Sequence, residues 1–138
     1  MKNKNLCLYA DGGARGNPGP AGIGAVLYNE KGDLLGEVSK YIGVATNNIA
    51  EYLAVIYGLQ EAIFLGAKKI EIRIDSQLIA RQLKGEYKVK DQNLRKFSDI
   101  ALNLSRWFEK VEISEIPREE NKEADRLVNK ALNLKDLF

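Results

Sequence analysis

The stretch Leu6-Cys-Leu-Tyr-Ala-Asp11, followed by Gly12-Gly-Ala-Arg-Gly-Asn-Pro-Gly19, decides the fold of this chain. Side chains alternate in character from Asn5 to Asp11, which predicts a strand that ends in a carboxylate. The glycine- and proline-rich segment 12–20 predicts a turn. Asp11 is therefore either an ordinary turn residue or a functional group placed at the carboxyl end of a strand.

Working outward from this strand, apolar periodicity predicts eight further elements. The strands cover 5–11, 23–28, 34–42, 69–74 and 111–116, and the helices cover 48–65, 76–83, 91–108 and 121–134. The first three strands should form an antiparallel meander, and the last two, each reached through a helix, should be parallel to the first. We expect an α/β fold with a five-stranded mixed sheet and helices on both faces, in one domain over 1–138 with its core at about 5–134.

Composition excludes several classes of site. The 138 residues carry a net charge of +2, one cysteine and no histidine. No disulfide within the chain, no Ser-His-Asp catalysis and no histidine-ligated zinc can therefore be built. Oxygen ligands and hard cations such as Mg²⁺ or Mn²⁺ remain. No run of 18 apolar residues occurs, so we expect no membrane span and a cytoplasmic protein.

Four carboxylates stand in separate motifs: Asp11, Glu51, Asp75 and Asp125. Each has an ordinary alternative, since Glu51 could close a capping box from Asn48, Asp75 could cap the next helix, and Asp125 could be a solvated helical acid. Asp11 and Asp75 end strands that we expect to be parallel neighbours. Glu51 should lie in the first turn of its helix, and Asp125 in the second turn of the last helix. Carboxylates gathered there would repel one another, and a divalent cation relieves that repulsion.

The ordered motifs resemble type 1 ribonuclease H over nearly the whole chain. They are Tyr9-Ala-Asp-Gly-Gly-Ala-Arg-Gly-Asn-Pro-Gly19, Thr46-Asn-Asn-Ile-Ala-Glu51, Ile74-Asp-Ser-Gln77 and Arg118-Glu-Glu-Asn-Lys-Glu-Ala-Asp125. The resemblance implies a ribonuclease H-like fold and an endonuclease that cuts the RNA strand of RNA–DNA hybrids with two Mg²⁺ or Mn²⁺ ions. Products would carry 3′-hydroxyl and 5′-phosphate ends.

The same resemblance assigns roles to individual positions. Asp11 would bridge the two metals, and the other three carboxylates would complete their coordination. The backbone of the segment 12–14 would approach the RNA, and polar side chains would contact the minor groove and 2′-hydroxyls. These substrate-binding candidates are Gly12, Gly13, Ala14, Asn17, Asn47, Asn48 and Gln77. The asparagines have turn and capping roles as alternatives, and Thr46 is an alternative cap for the helix that follows.

The chain departs from the family pattern in two places. Many members carry a histidine in a loop before the last aspartate, where this chain has Arg118, which could contact a phosphate or could be an ordinary surface arginine. Some members carry a basic protrusion between the middle helices, where this chain has the short link Lys84–Lys90. We therefore expect modest, salt-sensitive affinity for the hybrid.

Partners and rival functions stay open at this point. Double-stranded RNA is a second conceivable substrate, a DNA-directed nuclease of the same fold is a rival, and a non-catalytic hybrid-binding module is another. We expect a monomer. The stretch Leu134–Phe138 faintly resembles sliding-clamp-binding tails but lacks their initial glutamine, so packing or fraying is favoured. Trp107 and the tyrosines are expected to pack in the core or at its boundary.

Overall fold

In the computed structural model, which describes residues 4–134, helices cover both faces of a five-stranded mixed sheet. The elements are β1 (Asn5–Ala14), β2 (Gly19–Tyr28), β3 (Leu34–Ala45), α1 (Asn47–Phe64), β4 (Lys69–Ile74), α2 (Gln77–Leu83), α3 (Gln92–Ser105), β5 (Lys110–Glu115), a 3₁₀ turn (Arg118–Glu120) and α4 (Lys122–Leu134). The strand order is β3-β2-β1-β4-β5. The pairs β1–β2 and β2–β3 are antiparallel, and β1–β4 and β4–β5 are parallel. The predicted architecture is confirmed.

The prediction of a turn over 12–20 was wrong. β1 continues through Gly12 and Gly13 to Ala14, and these residues pair with β2 as far as Ala21. Both glycines take up extended backbone within the ladder, so the turn contains only residues 15–18. The longer strands carry the hairpin beyond the position of Asp11, beside the amino end of α1.

Two close approaches set the helices against the sheet. A Cβ at Gly24 of β2 would lie 2.1 Å from the carbonyl oxygen of Ala124 in α4. A Cβ at Gly58 of α1 would lie 2.5 Å from the side chain of Leu8 in β1. Since only glycine fits at such distances, the sequence holds α4 and α1 close to opposite faces of the sheet.

The residues that cap the helices are different from the residues predicted to function in the site. The Thr46 hydroxyl accepts a hydrogen bond from the backbone N–H of Ile49, which confirms the prediction of a threonine cap for α1. Ser76, not Asp75, caps α2, where it accepts from Ile79. The Asp75 carboxylate is therefore not used as a cap.

The prediction for the aromatic residues is confirmed for some and wrong for others. Tyr52 is fully buried in the core, whereas Trp107 is 73% exposed just beyond the end of α3. Its neighbour Phe108 is buried instead. A single buried aromatic closes that end of the core, and the choice between adjacent aromatics depends on tertiary packing. Within residues 4–134 no helix has the length and apolar character needed to cross a membrane.

Candidate active site

Three carboxylates meet at the carboxyl ends of β1 and β4. One ligand oxygen from each of Asp11, Glu51 and Asp75 lies within 4.8 Å of the other two. The last paired residues of the parallel β1–β4 ladder are Tyr9 and Arg73, so Asp11 and Asp75 both stand two residues beyond that pair. The convergence follows from parallel pairing, because adjacent parallel strands present their carboxyl ends at one edge.

Glu51 reaches the cluster from α1 through a contact with β1. Its Oε1 accepts a hydrogen bond of 3.1 Å from the backbone N–H of Gly12. A Cβ at Gly12 would lie 2.3 Å from the backbone carbonyl of Ala50, so the strand and helix backbones touch. The capping-box alternative is wrong, because Thr46 caps α1 and Glu51, as its fifth residue, lies in the second turn rather than the first.

Asp75 is held by a residue that sequence reasoning missed. The side-chain amide of Asn121 donates to Asp75 Oδ2 at 2.9 Å and to the carbonyl oxygen of Ala10 at 2.9 Å. Asn121 is only 1% exposed. The sequence prediction placed Asn121 as the first residue of the last helix, where an asparagine has an ordinary role in helix initiation and nothing marks it as a neighbour of the carboxylates.

Asp125 joins the site from α4. It lies in the first turn of that helix, whereas the prediction placed it in the second turn, because α4 begins at Lys122 and not at residue 121. Its carboxyl is close enough to Asp11 to share a hydrogen bond when one of the two is protonated. Among the described residues it stands outside the tight group of three, beside Asp11 rather than between the other two acids.

Burial and mutual repulsion dominate the electrostatics of the cluster. Burial, the charges of Asp75 and Asp125 and the shared hydrogen bond with Asp125 raise the pKa of Asp11 to about 7. Burial, followed by the charges of Asp11 and Asp75, raises the pKa of Glu51 well above its usual range. The Gly12 N–H and the Arg118 charge oppose that rise in the pKa of Glu51 only in part.

The donor set fits a hard divalent cation. All the ligand atoms are carboxylate oxygens, which Mg²⁺ and Mn²⁺ prefer, and the described residues bring no histidine or thiol to the cluster. Burial and the neighbouring carboxylates raise the pKa of Asp11, so its ionised form is disfavoured in the absence of a cation. A cation would stabilise the ionised forms and displace the proton.

The predicted substrate-binding residues form a hydrogen-bonded rim beside the cluster. Asn47 Oδ1 accepts from the backbone N–H of Ala14 at 2.8 Å, and Asn17 Oδ1 accepts from the backbone N–H of Asn47 at 3.0 Å. The rim therefore joins the end of β1, the hairpin turn and the start of α1. Asn17 and Asn47 are exposed and Asn48 is half-buried, so each presents polar atoms to solvent.

The other residues predicted to contact the substrate differ in whether they are still accessible to a ligand. The N–H groups of Gly12 and Ala14 are already bonded within the protein, whereas a Cβ at Gly13 would meet nothing within 4 Å. Gln77 is exposed at the start of α2, two residues from Asp75. Gly13 is the position of the strand end that a bulky ligand can approach most closely.

Arg118 lies on the same side of the molecule as the cluster. It is exposed in the 3₁₀ turn before α4, and its charge opposes, by the smallest of the contributions, the rise in the pKa of Glu51. The positively charged side chain of Arg118 is thus near the carboxylates, but it takes the place of none of the four. The link between α2 and α3 covers residues 84–91 without a helix, and the predicted clamp-binding tail lies outside the described residues beyond Leu134.

A separate cavity of about 810 Å³ lies over β1, β4 and β5 and contains none of the four carboxylates. The polar side chains at the centre of its floor form hydrogen bonds with one another. Arg73 donates to both oxygens of Glu71 and to the Tyr9 hydroxyl, and Ser114 donates to Glu71. The Arg73–Glu71 pair at the centre of this floor is already hydrogen-bonded within the protein, and among the described residues the cavity lacks a convergent group of acids, so we assign the chemistry to the carboxylate cluster.

Comparison with known proteins gives the cluster a family context. The Reverse transcriptase-like family model matches residues 9–131. The chain is 44% identical to "Bifunctional protein Rv2228c" of Mycobacterium tuberculosis over 93% of its own length, but spans only 35% of that relative. It is also 44% identical to "Ribonuclease HI" of Halobacterium salinarum, over 91% of this chain and 63% of the relative.

A solved structure extends the similarity over a complete chain. LC11-RNase H1, in complex with RNA/DNA hybrid, superposes with a TM-score of 0.90 at 45% identity. The match covers 96% of this chain and 99% of that one. The fold therefore matches over nearly the whole length of that chain, with just under half of the residues identical.

Replacing Gly12 by alanine should disturb the contact that places Glu51. The new Cβ would overlap the Ala50 carbonyl, so α1 must shift, and we expect a loss of roughly 1–3 kcal/mol in the free energy of unfolding. Gly13→Ala is the matched control and should change stability by less than about 0.5 kcal/mol, because its Cβ enters open space. Chemical denaturation of both variants checks this. Equal stability of the two would contradict the assigned role of Gly12.

Metal-free protein should lose stability as pH rises through the range set by Asp11. The pKa of Asp11 is raised from 3.8 in the unfolded chain to about 7, so between these values the folded state keeps a proton that the unfolded state has released. The free energy of unfolding therefore falls from pH 4 to pH 7.

Asp11→Asn should reduce this pH-dependent loss, leaving the part that the raised pKa of Glu51 contributes. Near pH 4 the variant should match the wild type, and at pH 8 with chelator it should be more stable by roughly 1–3 kcal/mol. Asp99→Asn, which removes an exposed carboxylate of α3, is the control. Thermal unfolding at both pH values measures the effect, and an Asp11→Asn variant less stable than the wild type at pH 8 would refute it.

Proposed function

Because the chain belongs to the type 1 ribonuclease H family, within the Reverse transcriptase-like group, we propose that it is a metal-dependent endonuclease that hydrolyses the RNA strand of RNA–DNA hybrids. The observation that carries the proposal is the meeting of Asp11, Glu51 and Asp75 within 4.8 Å, with Asp125 beside Asp11. Four acids at one edge of a sheet are costly unless they bind cations.

Asp11 is the central ligand in this proposal. The charges of Asp75 and Asp125 act on its carboxyl, and its own charge acts on Glu51, so Asp11 interacts with all three other acids. Asp11 would therefore be a ligand to both cations. Glu51, Asp75 and Asp125 would hold them from α1, β4 and α4.

Two Mg²⁺ or Mn²⁺ ions bound there would activate water for attack and stabilise the leaving 3′-oxygen, giving 3′-hydroxyl and 5′-phosphate ends. The chain's own residues supply the placement. Gly13, with open space on its free side, lets the sugar–phosphate backbone come close, and Asn17, Asn48 and Gln77 offer polar groups to the minor groove. Contacts to 2′-hydroxyls would distinguish RNA from DNA.

A cleavage assay tests the proposal. One RNA strand, end-labelled and annealed to DNA or to RNA, is incubated with Mg²⁺, Mn²⁺ or chelator. We expect metal-dependent cutting of RNA in the hybrid, and loss of that cutting by at least about a thousandfold in Asp11→Asn, since removal of the bridging ligand disrupts both cation positions. Hybrid should also outcompete duplex DNA.

The other outcomes distinguish the rival functions. Cutting of the RNA duplex as well would extend the substrate range. Cutting of DNA alone would favour a DNA-directed nuclease, and tight hybrid binding without cutting in Mn²⁺ would favour a non-catalytic module. Filter binding of the hybrid to the Asp11→Asn variant shows whether the variant still binds its substrate. If binding is retained, the loss of cutting is a loss of chemistry and not of binding.

Arg118 is assigned an auxiliary role near the leaving product. The charge of Arg118 already acts on Glu51. A guanidinium at this position would stabilise phosphate oxygens, but it cannot act as a base at neutral pH. Arg118→Ala should lower kcat by about tenfold, or roughly 1.4 kcal/mol of barrier. Arg106→Ala, an exposed arginine at the end of α3, is the control. Unchanged turnover in Arg118→Ala would end this assignment.

A further inference from the structure

Asn121 lies where β1 and β4 separate. The parallel ladder ends at the pair Tyr9 and Arg73, and the Asn121 amide nitrogen follows by bonding both Ala10 O and Asp75 Oδ2. One side chain thus continues the link between the two strands after their own hydrogen bonds stop. The strand positions on either side of it carry Asp11 and Asp75.

The orientation of this amide is dictated by its neighbours. Ala10 O and the Asp75 carboxylate are both acceptors, so only the NH₂ group can face them. Asn121 Oδ1 is then buried, and no donor among residues 4–134 lies within hydrogen-bonding distance of it. A buried acceptor without a partner destabilises the folded state, so fold stability alone does not explain an asparagine here.

The backbone of Asn121 adds a third connection. Its carbonyl oxygen accepts the N–H of Asp125 at 3.1 Å, in the first turn of α4. Asn121 therefore contacts, through side chain and backbone, the segments that carry Asp11, Asp75 and Asp125. Glu51 is placed independently, by Gly12.

We propose that Asn121 is a positioning residue that holds Asp75 and Asp125 around Asp11 and thereby sets the cation affinity of the site. This inference rests on the proposed function, because it assumes that the cluster binds divalent cations. The amide occupies Asp75 Oδ2 and leaves Oδ1 free of that bond, so it fixes the rotation of the carboxylate. Hydrogen-bonded partners of this kind orient metal ligands, and their loss typically weakens metal affinity or activity by about 10–100-fold.

Burial separates this role from substrate binding. At 1% exposure Asn121 is not accessible to the RNA, so its replacement should leave the KM for hybrid nearly unchanged. The loss should appear in Mn²⁺ affinity, and in kcat at limiting metal. Raising the Mn²⁺ concentration should restore part of kcat.

The test measures Mn²⁺ binding by electron paramagnetic resonance, without nucleic acid, in Asn121→Leu, Asn121→Ala and Asn121→Ser. Leucine keeps the branched shape at a larger volume and removes the donors, alanine removes both the donors and the bulk, and serine retains a hydroxyl donor in case the larger changes prevent folding. Phe108→Leu is the control for general destabilisation, because Phe108 is buried before β5 at the amino end of the strand, away from the cluster.

We expect a 10–100-fold weaker Mn²⁺ affinity in the leucine and alanine variants, a smaller loss in serine, and wild-type affinity in Phe108→Leu. Affinity within about twofold of wild type in every folded Asn121 variant would overturn the proposal and leave Asn121 a structural residue only. Wild-type protein that binds no Mn²⁺ would overturn the proposed function itself. These two failures are distinguishable, since only the second affects the wild-type protein.

Discussion

The repulsion between carboxylates held at one edge of the sheet is the constraint on which the rest of the site depends. Parallel pairing of β1 and β4 brings Asp11 and Asp75 together, and burial removes the water that would screen them. The pKa of Asp11 rises to about 7 as a result, so at neutral pH the protein alone does not hold the cluster fully ionised. A divalent cation bound at this edge would relieve the repulsion, which is why the proposed function includes one.

The surrounding structure keeps the acids together against that repulsion. Gly12 lets α1 touch β1 and donates its N–H to Glu51, while Gly24 lets α4 lie against β2 and so carry Asp125 to the same edge. Asn121 connects the ends of both central strands to α4. Each of these contacts joins a strand closely to a helix or to the residue before it, which gives the carboxylates little freedom to move apart. Such rigidity places ligands before a cation binds, which favours affinity and defined geometry.

Much of this could be predicted from the sequence. Strict alternation over Lys69–Ile74 and the dense apolar helix after Thr46 predicted the correct elements, and their order predicted the sheet and the convergence of Asp11 with Asp75. The local errors have a common cause. Gly12 and Gly13 resemble turn residues but lie in a strand, because pairing with β2 overrides the local preference of glycine.

Asn121 shows the limit of sequence reasoning most clearly. An asparagine at the start of a helix has an ordinary role in helix initiation, and only the tertiary arrangement shows that its amide faces Ala10 and Asp75. The placement of Glu51 by Gly12 is equally invisible in sequence, because it depends on how closely a helix approaches a strand 39 residues earlier. Both are contacts between distant segments, which local propensity does not encode.

The most direct measurement of the account is calorimetric titration of Mn²⁺ into the protein in two buffers of different ionisation enthalpy, which counts the protons released on binding. If the carboxylates form a cation site whose burial and repulsion raise the pKa of Asp11 to about 7 and that of Glu51 above its usual range, binding near pH 6 should release about one proton or more, and binding near pH 8.5 fewer. Binding with no proton released at either pH, or no binding at all, would contradict the account.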